Sequence, residues 1–166
     1  MKIRNKKKIV GYVLAGGNIL PDTHCTLWYQ PYRSIKRNSN ESDIDFERKK
    51  KQLEDKQNAF FNMIGKPFNF QELVILKDEN VMTVVLNLEK PRLYNGPSRP
   101  HITIETYGEA KPVESNNLIK NHEELLDKYI QEQDGYKFTA YLSAMYYSRE
   151  GKCYSTSIGE WKWQYT

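Results

Sequence analysis

Two hydrophobic rhythms run along the chain. Short apolar runs bounded by Gly, Pro, Asn and Asp read as strands. They are "IVGYVLAG" from residue 9, "HCTL" from residue 24, "FNFQELVIL" and "VMTVVLNL" around a "KDEN" turn, "HITI" from residue 101, and "KFTAYLSAMYYS" and "CYSTSIGEWKWQY" near the end. A slower period marks helices. "SDIDFERKKKQLEDKQNAFFNMIG" has Ser42 as N-cap, Asp43 and Asp45 beside the helix N-terminus, and Gly65 then Pro67 as a stop signal. Its apolar residues Ile44, Leu53, Phe60 and Ile64 predict one buried stripe. "ESNNLIKNHEELLDKYIQEQ" predicts a second helix, capped by Ser115 or Asn116, with His122 exposed on it. In the last strand Trp161, Trp163 and Tyr165 share one face, which predicts packing against a helix. The order is strand, strand, helix, two strands, strand, helix, two strands. That is an α+β protein with antiparallel pairing, arranged as two similar lobes.

One polar pattern interrupts these apolar strands twice. His24-Cys25-Thr26-Leu27 and His101-Ile102-Thr103-Ile104 place two of the chain's three histidines in the same frame. Side chains alternate along a strand, so each histidine shares a face with its threonine while Cys25, Leu27, Ile102 and Ile104 point the other way. Pro100 restricts Arg99 to extended backbone and delivers His101 at a strand start. By the same alternation Trp28 shares the face of His24 and Tyr29 takes the opposite one.

Composition narrows the setting. The 166 residues suit a single domain spanning 1–166, with residues 1–8 a flexible basic terminus. A net charge of +4 is compatible with an anionic ligand and too modest for a nucleic-acid coat protein. Twelve tyrosines suit half-wet surfaces, including those that stack on bases. The two cysteines, Cys25 and Cys153, make neither a disulfide framework nor a metal-ligand spacing, and Cys25 reads as a small buried thiol behind the histidine face. No signal-peptide core or bilayer-length apolar run is present, so the expected setting is cytoplasmic, without a membrane.

With its paired H-x-T-hydrophobic motifs the chain resembles the two-histidine (2H) phosphoesterase superfamily, the LigT-like fold. "RPHITIETYGEAKPVESNNLI" is closest in wording to the cyclic-phosphodiesterase domain of fungal-type tRNA ligases. The resemblance implies a two-lobed fold, with two antiparallel sheets forming a central cleft, helices outside, and the motifs facing each other across it. Neither a G-x-x-x-x-G-K-[ST] phosphate loop nor a K-x-D-G ligase motif is present, so the phosphodiesterase module stands without fused kinase or ligase motifs.

What the resemblance implies chemically is metal-independent phosphodiester hydrolysis with no cofactor. One histidine of the pair His24 and His101 activates the attacking oxygen and the other protonates the leaving oxygen. Thr26 and Thr103 hydrogen-bond the non-bridging phosphate oxygens. Because the motifs are nearly symmetric, His24 as acid and His101 as base is one of two equivalent assignments. Trp28, Tyr32, Arg33, Arg99 and Tyr107 are candidate contacts to base and phosphate. The leading substrate is an RNA end bearing a 2′,3′-cyclic phosphate, handled by a monomer. The alternative is a cyclic oligonucleotide or 2′–5′ oligoadenylate immune messenger, as degraded by viral and phage members that evade host defence. A third reading is a noncatalytic RNA-binding module.

Overall fold

The computed structural model describes residues 6–130, 136–148, 151–155 and 163–165. Eight strands form one antiparallel sheet: β1 (Gly11–Ala15), β2 (Cys25–Tyr29), β3 (Pro67–Lys77), β4 (Val81–Leu88), β5 (His101–Thr106), β6 (Phe138–Ser148), β7 (Gly151–Ser155) and β8 (Trp163–Tyr165). In space they run β1-β2-β5-β4-β3-β6, and β6 pairs back onto β1, so six strands close into a barrel that β7 and β8 extend from β6. The expected two sheets flanking a central cleft are therefore replaced by a single closed barrel. The cause lies in the length of β6. It meets β1 along Tyr141–Met145, while β3 takes residues 138–141 and β7 takes 144–148. Closure removes the open edges that two separate sheets would leave.

One face of this sheet collects a large apolar cluster from all six barrel strands. It includes Tyr12 and Leu14, Cys25 and Leu27, Ile102, Leu86, Phe70 and Leu142, joined by Phe60 and Ile64. The opposite face carries two smaller patches. Val13, Ala15 and Met145 form one; Leu76, Val81 and Val85 form the other, packed against Leu118, Ile119 and Leu126 of the second and third helices. Strands β2 and β5 lie between these two patches.

The helices show where local pattern and packing part ways. α1 (Asp43–Met63) starts as expected, with Ser42 Oγ accepting from the Asp45 N–H at 3.2 Å. Its apolar stripe is buried only near the C-terminal end, at Phe60 and Ile64, and Ile44 is 73% exposed. Elsewhere α1 is held by polar contacts: Gln57 Nε2 donates to the Pro31 carbonyl at 2.8 Å and Lys49 Nζ to the Lys36 carbonyl at 3.0 Å. The second predicted helix is two, α2 (Ser115–Lys120) and α3 (Glu123–Ile130). Between them His122 is half-buried, not exposed, and its Nδ1–H donates to the Leu118 carbonyl at 2.8 Å, a side-chain bond that competes with the helical ladder. Neither Ser115 nor Asn116 caps: α2 is entered through a 3₁₀ turn, Pro112–Glu114, and both side chains bond elsewhere. Of the basic N-terminal stretch, Lys6–Lys8 form a 3₁₀ turn and the rest lies outside the described residues. The shared face predicted for Trp161, Trp163 and Tyr165 also lies outside the described side chains.

Candidate active site

β2 and β5 are hydrogen-bonded neighbours, with Cys25 paired to Ile102. Continued one step either side, this antiparallel register puts Thr26 opposite His101, and His24, which the sequence placed in the strand but which lies just before β2, opposite Thr103. Cys25 and Ile102 belong to the large apolar cluster, so the four motif residues occupy the other face, between the two smaller patches. All four are half-buried. The histidines are diagonal neighbours, with backbones about 7–8 Å apart, which leaves room for a phosphate between the imidazoles. The motifs thus lie side by side on one sheet and do not face each other from two lobes.

The second motif is held firmly. Arg99 pairs with Glu123 at 3.2 Å and with Asp127, both on α3, and Ser98 Oγ donates to Asn116 Oδ1 on α2 at 2.6 Å. Burial alone would lower the Arg99 pKa, but hydrogen bonds to Asp127 and Glu123 raise it. The loop so anchored presents the Arg99 carbonyl 2.7 Å from His101 Nδ1. A carbonyl can only accept, so Nδ1 carries the proton and Nε2 of the neutral ring keeps its lone pair. Burial lowers the His101 pKa from its ordinary value, an effect partly countered by that carbonyl, and favours the neutral ring. Thr103 Oγ1 lies 2.9 Å from Ser115 Oγ, whose residue is fully buried. Thr26 makes no side-chain hydrogen bond among the described residues. Behind the site, burial pushes the Cys25 thiol up to about 12 despite a bond from the His101 backbone, which leaves it protonated and unsuited to nucleophilic attack.

The remaining candidates are dispersed. A one-residue β-bulge separates the pairs Tyr12↔Trp28 and Val13↔Thr26, leaving Leu27 as the extra residue. It reverses the alternation beyond Leu27. Trp28 turns to the apolar face, with ring centroids 5.2 Å from Phe60 and 6.2 Å from Tyr12, and Tyr29 joins the face of Thr26. Tyr32 is also on the apolar side, its hydroxyl 2.8 Å from that of Tyr12. Burial chiefly raises the pKa of both phenols. Arg33 lines a cavity of about 420 Å³ near the end of β2, and Arg99 is committed to α3. Tyr107 sits beyond β5, its N–H bonded to the Asn80 carbonyl in the β3–β4 turn. Sequence reasoning missed Ser115 as a partner of Thr103 and Arg99 as an anchor for His101. The first leaves no local signal; the second was signalled only by Arg99 preceding Pro100. No group of three or more His, Cys, Asp or Glu among the described residues is placed to hold a metal ion, and no described helix is long and apolar enough to cross a membrane.

An antiparallel sheet presenting two His–Thr pairs in mutual register has the chemistry expected of a phosphodiesterase. Comparison identifies the family: the fungal tRNA ligase phosphodiesterase domain matches residues 3–140, and the chain belongs to that family. No curated protein and no solved structure matches it significantly.

Proposed function

We propose that this chain opens 2′,3′-cyclic phosphate ends of RNA by proton transfer between His24 and His101, without a metal ion. The observation that carries the reading is the β2–β5 register, which gathers two histidines and two threonines on one face. In this mechanism water attacks phosphorus and His101 Nε2 takes its proton. His24 protonates the ribose oxygen as the phosphorus–oxygen bond breaks, and the product is a terminal phosphomonoester. The Nδ1–H bond to Arg99 favours His101 as base, because it leaves Nε2 unprotonated in the neutral ring. Thr26 and Thr103 donate to the non-bridging oxygens, where charge is redistributed in the transition state.

The test is hydrolysis in EDTA, followed by mass spectrometry, with wild type beside His24→Ala and His101→Ala. The panel contains a short RNA ending in a 2′,3′-cyclic phosphate, cyclic dinucleotides and trinucleotides, and a 2′–5′ oligoadenylate. Opening of the cyclic RNA end, abolished by either substitution, is the expected result. Preferential cleavage of the messengers would reassign the substrate to signalling nucleotides. Activity surviving both substitutions would remove the histidines from the mechanism.

A further inference from the structure

We infer that Tyr29 and the basic cavity at the end of β2 form a binding site for the single-stranded RNA leading to the cyclic end. This deepens the proposed function and rests on it for the position of the scissile phosphate. The bulge at Leu27 turns Tyr29 onto the face of Thr26, opposite Gly11, which offers no side chain to cover the ring. Tyr29 is 60% exposed, whereas Trp28 is packed between Tyr12 and Phe60. From Thr26 to Tyr29 is three residues of strand, about 10 Å, a spacing on the scale of a nucleotide.

Tyr29 is one of the residues that line the cavity at the strand's end, where Trp28 joins it from the other face of β2. The cavity's volume of about 420 Å³ lies within the usual range for ligand sites, and its lining also includes Arg33, Lys36, Lys49 and Leu53. Lys49 is engaged by Glu41 at 3.6 Å and by the Lys36 carbonyl at 3.0 Å. Arg33 and Lys36 are exposed and make no ion pair among the described residues. An open aromatic ring beside two uncommitted cations is what a base and its flanking phosphates require, and such a platform accepts bases with little sequence preference. Arg33 thus serves the RNA body, while Tyr29 does the stacking expected of Trp28.

Two measurements test this. The first compares kinetics on a 2′,3′-cyclic mononucleotide with those on a short RNA carrying the same end. For Tyr29→Ala the rise in KM on the RNA should exceed that on the mononucleotide by about tenfold, and Tyr29→Phe should restore it. Arg33→Ala and Lys36→Ala should each flatten the dependence of log KM on log salt by about 0.7 on the RNA. Equal effects on the two substrates, or none, would overturn the site. The second is anisotropy of a labelled single-stranded RNA, which needs no turnover. If wild type opened neither substrate, the function reading would fail by itself, and weaker RNA binding by Tyr29→Ala would still support the site. Unchanged binding would overturn it.

Discussion

A single proton, taken up at Nε2 of His101 because Nδ1–H is already engaged by the Arg99 carbonyl, links the site's structure to its pH dependence. Burial lowers the folded pKa of this imidazole below its ordinary 6.5, so on acidification the unfolded chain protonates first. The stability that follows is fully present above about pH 6.5 and is lost as pH falls through the lower folded value. Urea midpoints measured across this range should decline with acidification, and less so for His101→Asn. With His101 as base, kcat/KM should fall on the acid side with a midpoint below 6.5, and His101→Asn should reduce it by about 10²–10⁴. An acid limb unchanged in His101→Asn would assign that titration elsewhere. The threonines separate by a different measurement. Thr26→Val and Thr103→Val should each lower kcat by about a hundredfold. Only Thr103→Val also strands the fully buried Ser115 hydroxyl, a loss of about 1–3 kcal/mol that urea unfolding would register. Equal unfolding midpoints for the two variants would contradict the Thr103–Ser115 bond.

Elements were legible in the sequence where their cause is local. The cap at Ser42, the Pro67 stop, the alternation in "HCTL" and over His101–Thr103, and the "KDEN" turn each act within a few residues, and each marks an observed element. Ile104, expected beside Ile102, is instead the surplus residue of a bulge against β4 and is 38% exposed. The pairing of β2 with β5 was not legible, because partner choice joins distant strands. The bulge in β2 was hidden for the same reason: Leu27 is surplus only relative to β1, and that one residue exchanges the faces of Trp28 and Tyr29. The halves of the second helix separate at His122, where a side-chain bond to Leu118 overrides a helical pattern. The turn after β1 offers a direct test of such close packing. Gly17 has φ +56°, and a Cβ there would stand 2.3 Å from the Thr139 carbonyl oxygen, against backbone and not a yielding side chain. Gly17→Ala should cost about 2–5 kcal/mol, combining the left-handed backbone penalty with displacement of β6. Gly108 has a similar φ, +59°, and nothing within 4 Å, so Gly108→Ala should cost only about 1–2 kcal/mol. Matching losses would show that the contact with Thr139 contributes nothing.

At the scale of the whole molecule, the family match and the folded unit end in different places. The match stops at residue 140, two residues into β6 after Phe138, yet the ladder that closes the barrel runs from Tyr141 to Met145 opposite β1. Without it β1 loses one of its two neighbours, and the large apolar cluster loses Leu142, Ala144 and Tyr146, each 5% exposed or less. Burial of a large apolar side chain is worth about 1.5–3 kcal/mol. Adding the β1–β6 hydrogen bonds brings the loss to the order of the 5–15 kcal/mol that stabilises an ordinary domain. A chain ending at Ala140 should therefore show no cooperative urea transition, and with β1 unsupported β2 should no longer hold His24 and Thr26 beside β5. Circular dichroism in urea, run beside the full chain, measures the first effect, and loss of cyclic-end hydrolysis measures the second. A shortened chain that unfolded at the full chain's midpoint would mean that β1 and β2 stand without β6, and that the barrel's closure is dispensable to the site.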